Sequence, residues 1–149
     1  MNLFHMLKER AAAGRSVRIA QIGAGKFGTM FLAQARLTTG LHVAGVADLD
    51  VARARARLAS AGWEAERYAA ASLDDAFASG GTFVGEDALA LIGDPRIEVV
   101  IEATGDPATG VRLARHAFRH GKHVVMVNVE ADALVGPLLA REAQSAGVV

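Results

Sequence analysis

The stretch Val17-Arg18-Ile19-Ala20-Gln21-Ile22-Gly23-Ala24-Gly25-Lys26-Phe27-Gly28 decides the fold. Its first six residues form a β-rich run that stops at a glycine. From Lys26 to Leu37 the apolar residues Phe27, Met30 and Phe31 recur at helical spacing. Gly23, Gly25 and Gly28 thus form a G-x-G-x-x-G at a strand-to-helix junction, the context that makes this pattern specific. Gly23 permits the tight turn. Gly25 has no side chain, so the backbone can approach a pyrophosphate. Gly28 lets the helix pack closely on the strand. The free N–H groups and dipole of the helix start favour anions, and Lys26 and Phe27 lie within the cradle.

Working outward, strand-like and helix-like periods alternate. Residues 41–47 (LHVAGVA), 98–103 (EVVIEA) and 122–127 (KHVVMV) read as further strands. Residues 51–61 and 109–120 read as helices, the latter ended by Gly121. A last helix is expected over 137–145, with Pro137 in its first turn. Between Trp63 and Pro95 the pattern gives a helix over 73–78 capped by Ser72, a break at Gly80-Gly81, a short strand over 82–84 and a helix over 86–92, in no assigned spatial order. Residues 1–15 read as an N-terminal amphipathic helix that ends near Gly14. Alternating strands and helices imply βαβ units, and the continuous apolar strands suit a sheet buried on both faces. The expected architecture is α/β, a Rossmann-type doubly wound parallel sheet in three αβα layers over residues 16–149. Gly147-Val148-Val149 reads as a helix end followed by the first residues of another strand, so the chain is expected to be an N-terminal piece of a longer enzyme.

Three further motifs carry chemistry. Asp48 ends the second strand, twenty residues past Gly28. An acid there accepts hydrogen bonds from the adenosine ribose and disfavours a 2′-phosphate, so NAD is favoured over NADP. Arg53, on the next helix with Arg55 and Arg57, pulls the other way because it can reach a 2′-phosphate. In Glu102-Ala103-Thr104-Gly105-Asp106-Pro107 a buried strand runs into small residues at the ligand edge of the sheet. Ala103, Thr104 and Gly105 are cofactor contacts on that reading, with Asp106 as a helix cap and Pro107 as the first helical residue. The fourth strand ends at Asn128, which with Glu130 faces a nicotinamide or a substrate. His116 and His120 stand four apart on one helix with no third ligand evident, so no metal site is expected.

Four segments, IGAGKFG (22–28), VADLD (46–50), VVIEATGDP (99–107) and GKHVVMVN (121–128), in this order and spacing, resemble the N-terminal domain of homoserine dehydrogenase-like oxidoreductases, closest to the subgroup with a C-terminal SAF domain. That subgroup includes enzymes described as reductoisomerase-like, acting on deoxyxylulose phosphate with NADPH. The resemblance implies an NAD(P)-dependent oxidoreductase whose dinucleotide domain this is, with the catalytic groups elsewhere in the enzyme. Homoserine dehydrogenases usually show Asn-Lys after the fourth strand. Val129 stands at the lysine's place here, which counts against homoserine as substrate, while Glu130 loosely fits the Glu that follows an Asn in reductoisomerases.

Composition narrows the alternatives. With no cysteine, disulfides, thiolate metal sites and cysteine nucleophiles are excluded. Sixteen basic residues balance sixteen acidic ones without a basic stripe, which disfavours nucleic acid and anionic membranes as partners. The N-terminal apolar residues are interrupted too soon for a signal peptide. The chain is expected to be cytoplasmic and homo-oligomeric, with a dinucleotide and a small-molecule substrate as partners. The rival from another class is a nucleotide-sensing module without hydride chemistry.

Overall fold

The computed structural model describes residues 2–149; Met1, the first residue of the expected N-terminal helix, lies outside the described residues. Five strands form one parallel sheet: β1 (Val17–Ile22), β2 (Leu41–Ala47), β3 (Phe83–Gly85), β4 (Val99–Glu102) and β5 (His123–Met126). Their order across the sheet is β3-β2-β1-β4-β5. The chain therefore winds outward from β1 in one direction, crosses back over the sheet, and winds outward in the other. The reversal falls between β1 and β4, where open α/β sheets bind their ligands.

The helices are α1 (Leu3–Ala12), α2 (Lys26–Ala35), α3 (Val51–Ser60), α4 (Leu73–Ser79), α5 (Ala88–Gly93), α6 (Pro107–Arg119) and α7 (Val129–Ser145). On one face α2 and α3 pack Leu32, Ala35, Ala54 and Leu58 against Val43 and Val46. On the other, Leu91, Ile92, Leu113 and Ala117 of α5 and α6 cover Ala20, Ile22, Ala44 and Val100. Helix α7 packs on α6 through Ala114, Phe118, Leu139 and Ala143. Leu32 and Leu58 are fully buried; truncating either to Ala costs about 2–5 kcal/mol. One irregularity adjusts the sheet: Ile19 pairs with Val43 but Ala20 pairs with Gly45, leaving Ala44 as an extra residue in β2.

The segment between Trp63 and Pro95 now has an order. A 3-10 turn over Ala65–Tyr68 leads to α4, capped by Ser72, then to β3 at the sheet edge and to α5, capped by Asp87 two residues later than expected. The largest departure from the sequence reading is the last helix. It begins at Val129 and runs through Pro137 to Ser145, with a break at Val135, whose φ of −138° and ψ of 15° are not helical. Asn128 caps it by accepting a hydrogen bond from the Ala131 N–H, so the residue expected at a strand end is a helix cap. Pro137 has no N–H to give the preceding turn, and its effect is the interruption at Val135 rather than a helix start. Beyond Gly147, Val148 is buried in the α6–α7 cluster, and the Val149 carbonyl accepts from the Val124 N–H of β5 at 2.7 Å. Among the described residues no helix is long and apolar enough to cross a membrane.

Candidate dinucleotide site

Four strand ends are fixed in a row at the carboxyl edge of the sheet. The N–H of Gly23 donates to Ala47, that of Asp48 to Gly85, that of Ala103 to Ile22 and that of Val127 to Glu102. These bonds extend the strand pairing by one residue into each loop, so backbone fixes where each loop leaves the sheet.

The three glycines of the cradle have different physical reasons. Gly23 has φ of +93°, and a Cβ on it would lie 2.5 Å from the Ala103 carbonyl oxygen. A Cβ on Gly28 would collide with the Gly23 carbonyl and lie 2.6 Å from Gln21 Nε2, which itself donates to that carbonyl at 2.9 Å. Gly25 differs: its φ is −70° and a Cβ there meets nothing within 4 Å. The protein's own packing does not require glycine at position 25, whereas a ligand lying on the backbone would. Gly25 is also the N-cap of α2, and it offers no side-chain cap. The other α-helices are capped by Asn2, Asp50, Ser72, Asp87, Asp106 and Asn128. No acidic residue occupies the first turn of α2. Its N–H groups and dipole are therefore left for an external anion.

Asp48 sits beside this cradle with its side chain only 7% exposed. Oδ2 accepts from the Ala24 N–H at 2.8 Å; Oδ1 accepts from the Asp50 N–H and from Arg53 Nη2, both at 2.9 Å. Burial pushes the carboxyl pKa up, but the hydrogen bonds from Ala24, Asp50 and Arg53, with the Arg53 charge, outweigh it and hold the group below the ordinary Asp value. Asp48 is thus a fixed anion tied directly to the glycine loop, and Asp50, not Asp48, caps α3.

A cleft of about 590 Å³ runs from this pair across the β1–β4 junction. It is lined by Gly23, Gly25, Asp48, Arg53, Ala103 and Thr104 of the residues singled out in the sequence. Lys26 and Phe27 are exposed on the first turn of α2, outside that lining, and Gly28 is buried behind it. Gly105, with φ of +76°, turns the chain into α6. Asn128 is 2% exposed and does not line the cleft; besides capping α7, its Nδ2 donates to the Asp106 carbonyl at 2.9 Å. It locks the loop after β4 to the one after β5. Glu130 is exposed on the first turn of α7, outside the cleft lining.

The cleft also has walls that the sequence reading did not find. Leu49, 94% exposed, stands at the lip after Asp48, and Glu86 to Leu89 close the side beyond β3. Thr109 and Arg112 project from α6. Leu49 is legible in the sequence as the residue after Asp48. The β3–α5 loop is not, because β3 has only three residues. Beneath the cleft, Glu102 is fully buried at the end of β4. Its Oε1 accepts from the Thr104 N–H at 2.9 Å and hydroxyl at 2.5 Å, while Oε2 has no hydrogen-bond partner among the described residues. Gly110 of α6 makes room for it: a Cβ there would lie 2.9 Å from Oε2 and 2.8 Å from Asn128 Nδ2. His116 and His120 meet in a tilted contact with ring centroids 4.3 Å apart, and the described residues hold no group of three or more His, Cys, Asp or Glu that suits a metal ion.

The family follows from the sequence that builds this edge. Residues 17–126 match the model of the GFO/IDH/MocA oxidoreductase family, NAD-binding Rossmann fold. The chain belongs to that family. No curated protein gives a significant match to the sequence. Among solved structures, a homoserine dehydrogenase from Thiobacillus denitrificans superposes with a TM-score of 0.69 at 22% identity, covering 89% of this chain and 28% of that one. Biliverdin reductase from Synechocystis sp. PCC 6803, solved with biliverdin and NADP+, gives 0.58 at 23% identity, covering 89% and 36%. A DOX-P reductoisomerase solved with magnesium gives 0.59 at 19% identity, covering 89% and 36%. At these identities the likeness is one of fold. The chain spans about a third of the length of these structures. As a member of the family it is an NAD(P)-binding oxidoreductase domain.

Proposed function

We propose that this chain is the cofactor domain of a homoserine dehydrogenase-like oxidoreductase, binding NAD in preference to NADP with the pyrophosphate over Gly25 and the adenosine ribose at Asp48. The observation that carries this reading is Gly25. It is a glycine with an ordinary φ and empty space where its Cβ would be, at the uncapped start of α2. Gly23, Ala103 and Thr104 form the floor along which the rest of the dinucleotide runs. A nicotinamide dinucleotide held there supplies hydride transfer. This chain's residues bind and orient it: the α2 N–H groups neutralise phosphate, Asp48 accepts from ribose hydroxyls, and Arg53 balances the buried carboxylate.

The cleft holds no paired acid and base at its lining that suits proton transfer to a carbonyl substrate. We therefore assign the substrate and proton-transfer groups to a second domain of a longer protein, in keeping with the third of the length that the chain spans in its structural neighbours. The reductoisomerase-like reading with NADPH draws on Arg53, 55% exposed at the cleft mouth and able to turn from Asp48 to a 2′-phosphate. Calorimetric titration of the chain with NADH and with NADPH tests both. Saturable binding, tighter for NADH, is expected; tighter NADPH binding supports the second reading, and no binding of either overturns the cofactor assignment.

A further inference from the structure

We propose a second ligand site, at the opposite edge of the sheet from the dinucleotide cleft, for a small oxyanion (a phosphate ester or carboxylate) with an apolar, aromatic-sized body. A cavity of about 820 Å³ opens where β1 and β2 begin, larger than the dinucleotide cleft. The six residues of β1 separate the two by roughly 16–20 Å, so they are distinct sites.

Charge is the first argument. Four guanidinium-bearing residues, Arg10, Arg15, Arg18 and Arg67, line this cavity, and Glu98 is the one carboxylate that does. Arg10 and Arg18 share it, at 2.7 and 3.1 Å. Among the described residues Arg15 and Arg67 have no carboxylate within ion-pair distance. In a chain of zero net charge, this concentrates cations in a concave, partly apolar place. Field lines focus there, and an oxyanion gains more than at an open surface.

Shape and chemistry of the floor are the second. Trp63 is 7% exposed, its indole N–H fixed on the Leu32 carbonyl at 3.0 Å, and the Arg67 guanidinium lies 5.1 Å from its ring. Phe77 packs edge-on to His42 at 5.7 Å, and the His42 ring is held by the Gly81 carbonyl. Arg96 lies over the Phe77 ring at 4.3 Å, and Ala35, Leu41 and Val43 complete the apolar walls around which the arginines of the cavity stand. A bare inorganic ion would leave those walls wet; an aromatic oxyanion covers them while its charge meets Arg15 and Arg67.

Trp63 is the only tryptophan in the chain, so its emission comes from the wall of this cavity, and calorimetry alone is used where NADH is present, since NADH quenches tryptophan emission by energy transfer. The chain is titrated with phenyl phosphate, benzoate, inorganic phosphate and the neutral benzyl alcohol, following Trp63 emission and, in parallel, heat. Saturable binding of phenyl phosphate or benzoate is expected, at least fivefold tighter than inorganic phosphate and unaffected by saturating NADH. Binding of phenyl phosphate alone assigns a phosphate ester, of benzoate alone a carboxylate. Arg15→Ala and Arg67→Ala, both at exposed side chains, are expected to weaken it at least fivefold by calorimetry with the melting temperature held. Glu98→Gln is expected to tighten it. An equal response to benzyl alcohol, displacement by NADH, no saturation at tens of millimolar, or unchanged affinity in both folded arginine variants would overturn the proposal.

Discussion

Arg53 Nη2 lies 2.9 Å from Oδ1 of Asp48, and the pair closes the mouth of the dinucleotide cleft with opposite charges within hydrogen-bond reach. Asp48 is held by backbone on both oxygens, whereas Arg53 is 55% exposed and has one side-chain partner among the described residues. The proposed preference for NAD rests on the fixed member of the pair. Replacing it by Asp48→Ser removes the repulsion toward a 2′-phosphate and frees Arg53. The ratio of NADPH to NADH affinity is expected to rise about tenfold, roughly 1.4 kcal/mol. Arg53→Ala is expected to lower that ratio. Calorimetry on both variants decides it; a ratio unmoved by Asp48→Ser removes Asp48 from the ribose site.

Gly25 separates folding from binding. Alanine fits its φ of −70° and meets nothing within 4 Å. Gly25→Ala should change stability by less than about 1 kcal/mol, because the freedom the unfolded chain loses and the poorer N-cap that Ala makes oppose one another. Affinity for NADH should nonetheless fall at least tenfold, and further in Gly25→Val. The comparison is Gly23→Ala, which must place a Cβ 2.5 Å from a backbone carbonyl at a positive φ and should lose stability outright. Urea denaturation and cofactor titration on the same samples give both numbers. A Gly25→Ala protein that binds NADH as tightly as the parent would show that nothing lies over this backbone.

Glu102 supports the cleft from below. Its Oε1 takes both hydrogen bonds that Thr104 offers, and Thr104 is part of the cleft lining. Glu102→Ala leaves the Thr104 N–H and hydroxyl without that acceptor and opens a void beside Asn128. A loss of roughly 1–3 kcal/mol is expected from the unmet donors, with weaker NADH binding as the loop loosens. Thr104→Val tests the same link with less damage, since it removes only the hydroxyl. Unchanged NADH affinity in a folded Thr104→Val protein would mean that this loop does not position the cofactor.

Much of this architecture was legible in the sequence because the signals were local. The strand ending at Gly23, the helix opening at Lys26 and the acid at Asp48 each depend on residues within a few positions; strand β1 has the expected bounds, and helix α2 opens at Lys26 as expected and ends at Ala35, two residues before Leu37. The placement of Asn128 was not legible in the same way. An apolar run followed by Asn reads equally as a strand end or as a helix cap, and one of the two bonds that fix its side chain goes to the Asp106 carbonyl, 22 residues away in sequence. Pro137 looks like a start signal, which makes the helix expected over 137–145 shorter than α7; packing of Leu139 and Ala143 on α6 holds the helix across the break instead. The β3–α5 wall of the cleft and the arginine-lined cavity both join segments distant in the chain, which no single-sequence period encodes.

Glu98 provides a test of the electrostatics through acid stability. Burial raises its pKa, but the Arg18 N–H and the Arg10 and Arg18 guanidiniums outweigh that and hold it below the ordinary Glu value. Because the folded pKa lies below the unfolded one, the unfolded chain takes up the proton first. The stabilisation is complete above the unfolded value, about 4.3, and is lost as pH falls through the folded value. Asp48 is shifted in the same direction and contributes with the same sign. Glu98→Gln should therefore be less stable than the parent at pH 7, by about 1 kcal/mol once the 41% exposure of both arginine partners is allowed for. The gap should close as pH falls from 5 toward 3, while the slope that Asp48 contributes remains in both proteins. Urea denaturation at pH 7, 5 and 3.5 measures it. A gap that stays constant across that range would assign the loss to packing rather than to the charge that two arginines share.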